Sequence, residues 1–117
     1  MQKLRTVIVD DEPLAREFLR LLLASFDDVE VVAECSNGKE AVATTLELRP
    51  QLLFLDIQMP EMDGFEFAKK LYETKGFEQI PLIFLTAKDS EEDRFNGLQS
   101  GAVAYITKPA NISLLKA

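Results

Sequence analysis

Leu52-Leu53-Phe54-Leu55-Asp56 decides the reading of this chain: four apolar residues that end abruptly on an acid. A short, continuously apolar run is what a strand covered on both faces of a parallel sheet requires. Upstream, the β-branched run Thr6-Val7-Ile8-Val9 stops in the same way at Asp10-Asp11. Val29-Glu30-Val31-Val32-Ala33 reads as a further strand, Ile80 to Leu85 as a fourth ending at Thr86, and Ala102 to Ile106 as a fifth that runs into Thr107-Lys108-Pro109. Helical patterns fill the gaps. Pro13 suits a first helical turn, and Leu14, Phe18, Leu21 and Leu22 follow at helical spacing. Asn37, with Glu40 three residues later, reads as a cap for a helix with Ala41, Thr45 and Leu48 inside and Pro50 as its stop. A loop from Ile57 to Gly64 holds Pro60 and the turn pair Asp63-Gly64, and Phe67, Ala68 and Leu71 mark the next helix. Ser90 can cap a helix whose first turn, Glu91-Glu92-Asp93, suits the positive end of the helix dipole. Ile112 to Ala117 reads as a fifth helix that has barely begun.

Strands that alternate with helices predict an α/β fold, a doubly wound five-stranded parallel sheet with helices on both faces. The 117 residues suit one domain, 1–117. The truncated last helix would cover its flank of the sheet poorly, so a piece of a longer chain is expected. A net charge of -7 repels phosphate backbones and argues against direct nucleic-acid binding. The single cysteine, Cys35, allows no internal disulfide and reads as a small buried side chain. With no histidine, Ser-His-Asp triads and His-based metal sites are excluded. The N-terminal apolar run is too short for a signal peptide or membrane span, which leaves a cytoplasmic domain as the expectation.

In a parallel sheet the C-terminal strand ends share one edge, where ligands bind at the reversal of strand order. That edge would gather Asp10, Asp11, Asp56, Thr86 and Lys108. Two carboxylates ~4 Å apart repel by about 4 kcal/mol at an effective dielectric of ~20. A cation, a proton or Lys108 would relieve the cluster. Oxygen-only ligands favour a hard ion, magnesium or calcium, and magnesium keeps room for a phosphate. Asp56 could act as a carboxylate nucleophile, with Lys108 and the Thr86 hydroxyl meeting phosphoryl oxygens. Each residue alone has an ordinary reading: a solvated acid, a turn former, a surface lysine, a capping hydroxyl. Their recurrence at successive strand ends is what singles them out.

Val7-Ile8-Val9-Asp10-Asp11-Glu12-Pro13, Leu55 to Gly64, Leu85-Thr86-Ala87 and Lys108-Pro109 together resemble the receiver domains of two-component response regulators, over essentially the whole chain. The run Asp11 to Arg16 is similar to the LytR/AlgR-type branch. The resemblance implies a flavodoxin-like sheet of order 2-1-3-4-5. It implies that Asp56 accepts a phosphoryl group from a kinase phosphohistidine or a small acyl phosphate. It implies Mg2+ held by Asp11, by Asp10 largely through water, by Asp56 and by the backbone carbonyl of Gln58. Thr86 and Lys108 would contact the phosphoryl group, and Pro109 would follow a cis bond that aims Lys108 inward. Tyr105 would be the switch aromatic that turns inward as Thr86 moves; its alternative is a partly exposed strand tyrosine. Gln58 and Lys88 match positions that tune dephosphorylation. Implied partners are a sensor histidine kinase or phosphotransfer protein, an output domain, and a second copy in a phosphorylation-dependent dimer. The domain would then be no enzyme in its own right, but would assist its own phosphorylation and dephosphorylation. Ala110 departs from the aromatic residue often found after Lys-Pro.

Two rivals share parts of this pattern. A phosphatase of the haloacid dehalogenase type also uses a nucleophilic aspartate and magnesium. It requires a second acid two residues on, where Gln58 stands, and a nucleophile after its first strand. A pseudo-receiver or flavodoxin-like binder would lack a key residue or carry a phosphate-cradling loop, whereas Asp10-Asp11-Glu12 would repel a phosphate.

Overall fold

A computed structural model describes residues 3–108 of the 117. Five parallel strands form one sheet: β1 (Leu4–Val9), β2 (Val29–Cys35), β3 (Leu52–Leu55), β4 (Leu82–Thr86) and β5 (Ala104–Thr107). Four helices alternate with them: α1 (Pro13–Leu23), α2 (Gly38–Leu48), α3 (Gly64–Glu73) and α4 (Glu91–Gln99). The strand order is β2-β1-β3-β4-β5, the doubly wound order expected for a flavodoxin-like sheet. The chain leaves β1 toward one edge and later returns to β3 on its other side, so the order reverses between β1 and β3.

Two apolar layers cover the sheet. Val7, Val9, Leu53, Leu55 and Phe84 pack on one face with Ala41 of α2 and Phe67, Ala68 and Leu71 of α3. Ile8 and Phe54 pack on the other with Leu19 and Leu23 of α1. Alternate residues of β1 and β3 therefore serve opposite layers. Each fully buried Leu, Ile or Phe contributes roughly 1.5–3 kcal/mol. The buried stripe of α1 is Ala15, Leu19 and Leu23, one position on from the expected Leu14, Phe18, Leu21 and Leu22. Ala15 admits the sheet closely, and Leu14, Leu21 and Leu22 are exposed.

Element ends shift for local reasons. β1 begins at Leu4, whose N–H donates to Asp28. β2 continues to Cys35, because Glu34 is held by Arg16 and Arg20 and the thiol is buried. β4 starts after Pro81, which has no N–H to give the ladder but whose carbonyl accepts from Leu53. β5 starts at Ala104, because Gly101 turns with φ +105 and Ala102 is spent anchoring that turn in the core. Asp63 and Gly64 do not form a turn pair. Asp63 caps α3 in a reciprocal capping box with Glu66, and Gly64 is already helical. Asn37 accepts from the Glu40 N–H as expected, while the Glu40 carboxylate reaches Ser36 rather than the cap residue. α2 ends on Arg49 in the left-handed region (φ 45), just before Pro50.

The proposed fifth helix, Ala110 and the peptide bond before Pro109 lie outside the described residues. Among the described residues, no helix is long and apolar enough to cross a membrane.

Candidate functional site

The backbone ladder carries the functional residues one step beyond their strands. The Asp10 N–H donates to Cys35 (3.0 Å), the Asp56 N–H to Val9 (3.0 Å) and the Lys108 N–H to Thr86 (2.7 Å). Residues separated by nearly a hundred positions therefore meet over β1 and β3, where the strand order reverses. Asp10, Asp11 and Asp56 each offer a carboxylate oxygen, and these oxygens lie within 4.8 Å of one another. Asp10 and Asp56 are buried and Asp11 is exposed at the mouth.

Lys108 neutralises the inner part of this cluster. Its Nζ lies 2.7 Å from Asp10 Oδ2, 3.2 Å from Asp56 Oδ2 and 3.3 Å from Glu12 Oε1, with the residue only 8% exposed. A mobile surface ammonium is thus replaced by a fixed, buried one. Burial on its own would lower the Lys108 pKa, but the hydrogen bonds and charges of Asp10 and Asp56 outweigh it and raise the value. Burial pushes the Asp10 carboxyl up, against the opposing pull of Lys108 and the Glu12 N–H. The remaining oxygens are oriented by the backbone. The Glu12 N–H donates to Asp10 Oδ1 at 2.9 Å, and the Ile57 N–H donates to Asp56 Oδ1 at 2.8 Å.

The sequence-predicted residues are brought together unequally. Thr86 is fully buried at the end of β4, and its Oγ1 accepts from the Lys88 N–H at 3.3 Å. Gln58 is exposed and shares an open groove with Asp11, Pro60, Asp63 and Lys88. Ile57 and Met59 are buried and Met62 is half-buried, so packing accounts for the first two. Tyr105 is buried with its ring inside, not a partly exposed strand tyrosine. Its hydroxyl donates to the Lys88 carbonyl at 2.8 Å, its ring leans on Phe84, and Arg94 lies over its face. Burial, then the nearby Asp93 charge, pushes its pKa up to about 12.

Three contributors escaped the sequence reading. Glu12 is the third carboxylate on Lys108. Arg16 donates to the Asp10 carbonyl at 2.6 Å and so fixes the turn behind that carboxylate. Gly64 lets α3 approach the acceptor: a Cβ there would stand 2.6 Å from the Asp56 carbonyl oxygen and 2.8 Å from Ile57 Cα. The position of Glu12 beside the acidic pair and of Arg16 one turn into α1 offered a signal for the first two. Nothing local distinguished Gly64 from a turn glycine.

A parallel α/β sheet with this acidic rim defines a class, and the chain belongs to the response regulator receiver domain family, whose profile matches residues 6–117. It is 46% identical over 107 residues to the transcriptional regulatory protein BtsR of Salmonella typhi, covering 91% of this chain and 42% of BtsR. The chain thus spans less than half the length of that relative. Among solved structures it is similar to the response regulator domain of Thermotoga maritima CheB, with TM-score 0.85, 29% identity, and 95% and 82% of the two chains covered. The phosphorylated cyanobacterial phytochrome response regulator RcpA superposes with TM-score 0.84 at 29% identity, covering 97% of this chain and 86% of its own.

Proposed function

We propose that this domain is a phospho-acceptor switch in two-component signalling, with Asp56 as the acceptor. The observation that carries the reading is the meeting of three carboxylates within 4.8 Å with one buried ammonium bridging two of them. A carboxylate nucleophile carries its own lone pair and has no proton to give up, so the attack needs no general base. Its oxygen attacks phosphorus, an O–P bond forms, and the P–N bond of the donor breaks with its electron pair left on the imidazole nitrogen. Catalysis of such a transfer is mainly positioning and charge stabilisation. Lys108 meets one phosphoryl oxygen and the Thr86 hydroxyl another. The donor atoms of Asp10, Asp11 and Asp56 are all carboxylate oxygens with no His or Cys among them, which fits a hard divalent ion. Mg2+, held by these residues and the Gln58 carbonyl, would supply charge neutralisation at the remaining phosphoryl oxygen. RcpA, solved in a phosphorylated form, supports the acceptor role by likeness.

Release of Thr86 from the Lys88 N–H toward a phosphoryl oxygen would alter the segment that also holds Tyr105 through the Lys88 carbonyl. The face around Thr86 and Tyr105 is then the surface read by an output domain, a partner or a second copy. Gln58 and Lys88, on the groove beside the acceptor, set the dephosphorylation rate. The donor is a sensor histidine kinase or phosphotransfer protein, and the setting is cytoplasmic. Gln58 in place of a second acid gives the phosphatase reading no support, and the complete acidic cluster gives the pseudo-receiver reading none.

The test is incubation with magnesium and acetyl phosphate, or with a beryllofluoride mimic, followed by intact-mass or NMR detection of the adduct. Wild type forms the adduct, Asp56→Asn does not, and Asp11→Asn loses metal affinity. An adduct of equal yield in Asp56→Asn refutes the acceptor assignment.

A further inference from the structure

Asp10 and Asp11 are joined by one planar peptide unit, which moves as a whole. Its carbonyl oxygen accepts from Arg16 Nη1 at 2.6 Å. On the other side of the residue, the Asp10 N–H donates to the Cys35 carbonyl at 3.0 Å. The main chain is thus held between the end of β2 and the first turn of α1. The Asp10 carboxylate has holds of its own in Lys108 and the Glu12 N–H. The Asp11 carboxylate is exposed, and its place depends on the peptide plane that Arg16 fixes.

Arg16 is itself oriented. While Nη1 bonds the Asp10 carbonyl, Nε faces Glu34 Oε1 at 3.6 Å, so two edges of one rigid guanidinium are used at once. The other oxygen of Glu34 meets Arg20 Nη1 at 2.8 Å. Glu34 pairs with Ile8 in the register of β1 and β2, one residue before Cys35. The Arg16 and Glu34 side chains are 21% and 26% exposed. An ion pair that wet contributes little stability, so what Glu34 supplies is direction.

We propose that Arg16, steered by Glu34, is a positioning residue that sets Asp11 for the metal ion. The inference rests on the reading of the acidic cleft as a site for Mg2+ and a phosphoryl group. Its sign is distinctive. As a bare positive charge beside the cluster, Arg16 would repel a divalent ion, and removing it would tighten binding. As the fixture of the Asp10–Asp11 peptide, its removal weakens binding.

The test is titration of Mg2+ into the 117-residue chain at roughly 0.15 M salt, where distant exposed charges are screened. Amide NMR shifts at Asp11 and Gln58 report the occupied site. Arg16→Met weakens Mg2+ binding about tenfold, the scale on which groups that orient metal ligands act. Glu34→Gln weakens it about threefold, on the scale of a half-exposed ion pair, and carries the test if Arg16→Met does not fold. Arg20→Met removes the same charge without touching Asp10 and stays within about twofold of wild type. Equal or tighter binding by Arg16→Met overturns the proposal, as does wild-type affinity in Glu34→Gln or a loss in Arg20→Met as large as that in Arg16→Met. A lowered melting temperature in Arg16→Met with Mg2+ affinity intact means that Arg16 only braces α1, and overturns it too. Wild type that binds no Mg2+ overturns the reading of the cleft as well, whereas the other adverse results leave that reading standing.

Discussion

Replacing Lys108 with methionine keeps most of the buried stem and removes the charge. The ammonium lies 2.7 Å from Asp10 and 3.2 Å from Asp56, and all three side chains are under a tenth exposed. At an effective dielectric of ~20 the two attractions are about 6 and 5 kcal/mol before desolvation is subtracted. Breaking a buried pair by deleting one partner leaves the other uncompensated, with a net loss of about 3–5 kcal/mol. For a domain of this size each kcal/mol moves the midpoint by roughly 4 °C, so Lys108→Met melts about 12–20 °C below wild type in EDTA at neutral pH. Saturating magnesium then raises the variant more than it raises wild type, because the ion enters a cluster that has lost its own cation. Thermal unfolding by circular dichroism with and without the metal measures both effects. A variant within about 2 °C of wild type in EDTA refutes the reasoning, since a deletion costing well under 1 kcal/mol is not that of a buried bridging charge. Equal magnesium stabilisation of the two proteins refutes the claim that ion and ammonium answer the same carboxylates.

Gly64→Ala should destabilise by about 1–3 kcal/mol, because the obstructing atoms belong to the backbone at Asp56 and Ile57 and cannot swing aside; a urea midpoint within 0.5 kcal/mol of wild type, on the order of experimental scatter, contradicts the close approach. Asp63→Ala removes one half of a capping box and should lower stability by about 1 kcal/mol, read from the same denaturant curves. Tyr105, with its pKa pushed up to about 12, makes stability depend on alkaline pH. Its contribution is complete below the unfolded value near 10 and is lost as pH rises through the folded value, on the order of 2–3 kcal/mol in all. Ultraviolet titration of the folded protein should show no tyrosine ionisation centred near pH 10, since burial also raises Tyr72. A full two-tyrosine step at that pH would mean the Tyr105 ring is outside.

The sheet was legible because Val7-Ile8-Val9 of β1 and the whole of β3 are apolar without interruption and stop on acids. Covering both faces leaves such strands no polar position, and the chain declares its direction where it meets solvent. The acidic cleft was legible for the same reason, since a parallel arrangement sends Asp10, Asp56, Thr86 and Lys108 to one edge. The phase of α1 was not. A helix with leucines at 14, 19, 21, 22 and 23 presents two apolar stripes, and spacing alone does not say which one meets the sheet. Ala15 decides it by allowing close contact, a property of shape rather than hydrophobicity. Gly64 and the Glu12 contact with Lys108 depend on approach between segments distant in sequence, which no local pattern encodes.

Because the main-chain amides of Asp10, Asp56 and Lys108 are bonded to adjacent strands, the active groups can adjust only by rotating their side chains. Strand lengths are therefore the ruler of this protein. One residue deleted from β1 or β3 would draw its acid back by about 3.3 Å and turn it to the opposite side of the sheet, while the helical crossovers could lengthen or shorten by whole turns without disturbing it.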